Sequence, residues 1–155
     1  MTMKLTPSAQ AILSGGLLVG MLDFSAACVT NASRGATPLR IAQSIASGWL
    51  GAAAFRGGYK TAALGVASHF LIALGAAAAY FFLCHQLPFL LKHVYLSGAF
   101  YGIAVFWFMQ LIVLPLSAIS FKPSFALATV LTGMLVHILC VGLPIALCAK
   151  RFAVG

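Results

Sequence analysis

The chain alternates between long apolar runs and short clusters of polar or basic residues. Four runs, at about 9–30, 61–83, 94–119 and 125–149, are each long enough for a helix to cross the ~30 Å hydrocarbon layer of a bilayer. Between them lie the polar stretch 31–37, the turn Arg56-Gly57-Gly58-Tyr59-Lys60, the connection 84–93 and the turn SFKPS at 120–124. The pattern predicts an all-α, polytopic transmembrane bundle in a single membrane domain.

A fifth segment, 39–55, breaks the rule. It has about 17 residues, carries Arg40, Gln43, Ser44, Ser47 and Gly48, and follows Pro38, which suits the first turn of a new helix. Trp49 would suit a headgroup-level position. Such a segment is expected to lie in the interface or to dip in and return. The expectation is four spans plus one interfacial or re-entrant helix.

Composition strengthens this picture. Apolar residues make up 63% of the 155 and charged residues 6%, with a mean hydropathy of +1.08. A soluble domain carries about a quarter charged residues, so most of this surface must face lipid. The net charge of +8 would point a soluble protein toward nucleic acid. Here the basic residues stand singly or in pairs at the ends of apolar runs, without aromatic interleaving. They read as snorkelling anchors for anionic lipid headgroups, not as a nucleic-acid patch. In a four-span arrangement one side holds Lys4, Lys92, Lys150 and Arg151, and the other holds Arg34, Arg40, Arg56, Lys60 and Lys122. That balance gives no orientation.

Cys28, Cys84, Cys140 and Cys148 show no C-x-x-C spacing and read as free thiols packed among apolar residues. Ser25-Ala26-Ala27-Cys28 faintly resembles a lipoprotein cleavage site. Asp23 would lie inside its apolar region, so the first helix is expected to be retained.

The stretch LSGGLLVGMLDFSAA, 13–27, holds Asp23, the one acidic residue of the chain. A carboxylate at membrane depth costs at least a few kcal/mol unless it is paired, protonated or facing water. On a helix, Gly16, Gly20, Asp23 and Ala27 share one face, and its small residues let a neighbour come close enough to bury the carboxyl in protein. Glycine and histidine recur in both halves: Gly16-x-x-x-Gly20 with Gly65-x-x-x-His69, then Gly98-x-x-x-Gly102 with Gly133-x-x-x-His137. The recurrence suggests an internal duplication with 38–55 inserted in the first half. Glycine faces exposed to lipid would serve a homo-oligomer or a membrane-protein partner; turned inward, they serve the monomer.

Asp23, His69, Gln110 and His137 lie well inside the predicted spans, at depths that allow one shared polar layer. Such a layer either holds helices together or binds or moves something. Two intramembrane histidines, His69 and His137, also suit axial haem ligation, and with Asp23 they would suit zinc. The chain has no short metal-ligand spacing, so no cofactor is expected, and haem or metal binding stands as the alternative. It also lacks G-x-S-x-G, H-E-x-x-H, a phosphate loop and a second carboxylate, so a non-enzymatic protein is expected. Pro115 in the third run is expected to bend that helix, with Ser117 or a neighbour meeting the freed carbonyls.

LPLSAISFKPSF and HILCVGLPIA, together with ASHFLIALGAAAAYFF, resemble small uncharacterised bacterial inner-membrane proteins with four spans. In such families a His recurs in the second and fourth helices and a Pro ends the third. The resemblance covers about 90 residues and implies a bacterial inner-membrane location, with no activity or cofactor. The expected function is a small transporter, a channel-like component or an accessory subunit with Asp23, His69, Gln110 and His137 as its polar centre.

Overall fold

The computed structural model describes residues 5–120 and 124–153, so most of the predicted SFKPS turn lies outside the described residues. It is an all-α bundle, with no strand among the described residues. Four helices are long and apolar enough to cross a membrane: α1 (Pro7–Ala32), α3 (Gly58–Gln86), α5 (Val94–Leu116) and α6 (Leu127–Phe152). The short helix α2 (Pro38–Leu50) and the single turn α4 (Phe89–Lys92) complete the α-helices among the described residues.

Local chemistry sets the starts of α1 and α2. Thr6 Oγ1 accepts from the Ala9 amide at 3.2 Å with Pro7 as the first helical residue. Thr37 Oγ1 accepts from the Arg40 amide at 3.3 Å with Pro38 in the same place. In each case a side-chain oxygen meets an orphan amide, and proline fills a position that needs no donor.

At 13 residues, α2 rises only about 20 Å, too short to cross. It packs against α3 through Ala42 and Ala46, which meet α3 at Gly65 so closely that a β-carbon there would collide with the Ala42 carbonyl. Gln43 is buried and donates to the Gly58 carbonyl at 3.1 Å. Trp49 donates from Nε1 to Ser68 Oγ at 3.1 Å, about 15 Å of helical rise beyond Gly58. Trp49 therefore reaches well along α3 from its first turn. The α2 helix runs inward beside α3, and a 3₁₀ stretch (Gly51–Arg56) brings the chain back. Gly51 makes the reversal at φ +56°, and a β-carbon there would stand 3.2 Å from the Ala118 carbonyl, which is why glycine suits this point.

The spans run up and down. α1 packs on α3 and α6, and α5 packs on α6. Glycines bring these helices together: Gly16 meets Leu74 and Gly20 meets Phe70 across α1 and α3. Gly98 meets Gly142 and Leu143, and Gly102 meets His137 and Ile138, across α5 and α6. These are corresponding positions in the two halves of the sequence, so the two Gly-x-x-x-Gly pairs make corresponding contacts, whereas Gly65 packs on Ala42 of α2 and Gly133 on Phe106 of α5. The Gly-x-x-x-Gly faces of α1 and α5 are thus turned inward, against other helices of the same chain.

α3 and α5 keep their backbones apart. They are linked by Tyr80 Oη with Ser97 Oγ at 2.8 Å and by Tyr101 Oη, which donates to the Ala76 carbonyl at 2.7 Å. The dense core, including Ala11, Ala77, Tyr80, Ile145, Ala146 and Ala149, fills one end of the bundle. At the other end the splay of α3 and α5 leaves a cavity, which α2 helps to wall.

Candidate functional site

Prolines shape the walls of this cavity. A proline inside a helix has no amide to donate, and its ring crowds the carbonyl four residues earlier. Pro115 and Pro144 therefore disturb the turns around Leu111 and Cys140. Both turns widen into π-helix, over Met109–Val113 and His137–Gly142. The Leu114 amide donates to the Met109 carbonyl and the Leu143 amide to the Ile138 carbonyl, each five residues back. Ser117 Oγ donates to the Leu114 carbonyl at 2.7 Å, which closes the end of α5; the carbonyl that Pro115 leaves without its donor lies further back, at Leu111. Each widened turn carries a polar cavity residue, Gln110 on α5 and His137 on α6.

The cavity has a volume of about 820 Å³, is half-enclosed, and takes in Asp23, His69, Gln110 and His137 together. All four residues singled out in the sequence line one space. Its apolar wall includes Ile45, Ile72, Val105 and Val113. Around the polar side stand Asn31, Ser44, Trp49, Ser68 and Ser117, residues that sequence reasoning did not assign to the site. The available signal was weak: most of them sit near the ends of runs, where polar residues are ordinary. The Ala118 amide donates to the Gly48 carbonyl at 2.8 Å, tying the chain just beyond α5 to α2 along this wall.

Asp23 and His69 meet across α1 and α3. His69 Nε2 lies 4.0 Å from Asp23 Oδ2 and 3.0 Å from the Gly20 carbonyl oxygen. The shorter contact is the hydrogen bond; a carbonyl only accepts, so Nε2 carries the hydrogen that it donates. Phe24 and Phe70 flank the imidazole, with ring centroids at 5.7 and 5.9 Å. His137 Nδ1 donates to the Gly133 carbonyl of its own helix at 2.9 Å, and its ring stands edge-on to Phe106 at 5.4 Å. Gln110 Oε1 is buried and has no hydrogen-bond partner among the described residues.

No group of three or more His, Cys, Asp or Glu side chains able to hold a metal ion stands together among the described residues. Cys28, Cys84, Cys140 and Cys148 are free thiols. Fold and cavity together define a multi-pass helical membrane protein with a largely apolar cavity among its spans that takes in a few polar side chains. The chain matches no protein-family model, and neither a curated protein nor a solved structure is significantly similar to it.

Proposed function

We propose that this is a small transporter-type membrane protein whose substrate site is the cavity between α3 and α5. The observation that supports this reading is the coincidence of a half-enclosed space of about 820 Å³ with two π-helical turns on its border. Cavities of some 300–1,000 Å³ with apolar walls and few polar groups suit small ligands. Isolated π-turns occur disproportionately at functional sites, and interrupted helices recur at transporter binding sites. A cluster serving only to hold helices together would pair its polar atoms across the interface, yet Gln110 is left without a partner.

A bacterial inner membrane is the location this reading takes. Arg34, Arg40, Arg56, Lys60, Lys92, Lys150 and Arg151, all exposed, would meet anionic headgroups there.

The test is to purify the protein in lipid nanodiscs and identify co-purifying small molecules by mass spectrometry. The comparison is Ala76→Phe, which fills the cavity from α3. A molecule retained by the wild type and lost from a folded variant supports the reading. Identical extracts from both proteins would refute it. An absorbance spectrum of the same preparation decides the alternative: a Soret band lost on changing His69 and His137 together would favour a haem protein.

A further inference from the structure

The hydrogen-bonding state of the cavity wall restricts what the cavity can hold. Nearly all of its donors are already committed to the protein. His69 Nε2–H goes to the Gly20 carbonyl and His137 Nδ1–H to the Gly133 carbonyl. The hydroxyls of Ser44, Ser68 and Ser117 donate to the carbonyls of Ile41, Leu64 and Leu114. Asn31 Nδ2 donates to the Ala27 carbonyl, and Trp49 Nε1 to Ser68 Oγ. The amide nitrogen of Gln110 is the exception.

The acceptors are in the opposite condition. The carboxylate of Asp23 receives no hydrogen bond from the described residues, and Gln110 Oε1 has none. With their hydrogens on the nitrogens that meet carbonyls, His69 Nδ1 and His137 Nε2 are acceptors too, also without partners among the described residues. Asp23 brings the chain's one negative side chain to this space. A half-buried carboxylate without a donor attracts a group that supplies both hydrogen and positive charge.

We infer that the cavity binds an amphiphilic organic cation, a protonated amine on an apolar body. The inference rests on the reading of the cavity as a ligand site. The ammonium docks on the Asp23 carboxylate with Gln110 Oε1, turned about its last side-chain bond, as a second acceptor. The apolar body lies along Ile72, Val105 and Val113. A neutral molecule of the same shape forfeits the charge-assisted bond, and an anion meets a carboxylate and a surplus of acceptors.

Phenylbutylammonium and its neutral counterpart phenylbutanol test this directly. Both are titrated at neutral pH into the full-length protein in maltoside micelles, with empty micelles as reference. The wild type is expected to bind the amine at least about tenfold more tightly than the alcohol. Asp23→Asn should bring that ratio close to unity, and Asp23→Glu should preserve it. If Asp23→Asn does not fold, Gln110→Leu takes its place and should weaken amine binding by at least about threefold.

Equal binding of amine and alcohol, both lost in Ala76→Phe, would overturn the cation inference while leaving the cavity a ligand site. An amine preference unchanged in folded Asp23→Asn would overturn it as well, since the preference would then not come from the carboxylate. Binding of neither probe also overturns it, and the co-purified molecules then judge the cavity on their own.

Discussion

Replacing Gly16 with alanine tests the packing that carries the site. A β-carbon at Gly16 would stand 2.8 Å from Leu74 Cα and 2.6 Å from Leu74 Cδ2. Carbon atoms rest at about 3.5–4.0 Å. The side-chain tip can swing aside, but the α-carbon cannot, so α1 and α3 must separate by about 0.7 Å or more at this point. The same movement loosens Gly20 from Phe70 and stretches the 3.0 Å bond between His69 and the Gly20 carbonyl. Overpacking of this kind costs roughly 1–3 kcal/mol, offset by up to about 1 kcal/mol from alanine's better helix propensity. The net expectation is a loss of about 0–3 kcal/mol, and the full overpacking cost of about 1–3 kcal/mol shows against a control that gains the helix propensity alone.

Gly75 provides the control, because a β-carbon there meets nothing within 4 Å. Gly75→Ala should be neutral or slightly stabilising. Reversible unfolding of both variants in bicelles, followed by steric trapping, measures the difference. Equal stability of Gly16→Ala and Gly75→Ala would refute the close approach of α1 and α3 at Gly16.

Gly51→Ala should cost about 1–3 kcal/mol, because it forces a side chain into positive φ beside the Ala118 carbonyl; an unchanged melting curve would contradict the reversal at that residue. In a cysteine-free background, Asp23→Cys with His69→Cys should be joined by a short methanethiosulfonate crosslinker in native membranes, and a folded double variant that is never joined would show that α1 and α3 do not meet there. Single cysteines at Arg34 and Lys60 should react with an impermeant thiol reagent from the same side of intact cells. Labelling from opposite sides would mean that α2 crosses the membrane. Ser68→Ala should leave the Trp49 indole N–H without its acceptor and lower stability by about 0.5–1.5 kcal/mol, read by thermal melting; no change would mean that this hydrogen bond does not help to hold α2 on α3.

The class of fold was legible in the sequence because crossing a bilayer is a demand on local composition. Each span must satisfy its own backbone and present apolar side chains over about 20 residues, and a window of that length carries the whole signal. The same holds for α2, whose 13 residues are too short to cross. Asp23, His69, Gln110 and His137 stood out for the same reason, as polar groups in runs where each is costly. Their depth along the helices could be counted, so a shared layer was foreseeable. What depth cannot give is rotation about each helix axis and the distance between axes, which depend on packing between segments far apart in the chain.

Only the tertiary structure decided those. It put His69 on the Gly20 carbonyl with Asp23 further off at 4.0 Å, and it turned the glycine faces inward. It also held α3 and α5 apart, so that the polar residues line a cavity instead of closing on one another. Pro115 and Pro144 were visible as sources of helical irregularity, but a proline is met equally by a kink or by a π-turn. The local packing selected the π-turn, and with it the side on which Gln110 and His137 emerge. The surplus of hydrogen-bond acceptors in the cavity was equally hidden from the sequence, because whether a serine or a histidine spends its hydrogen on a nearby carbonyl depends on where folding leaves that carbonyl.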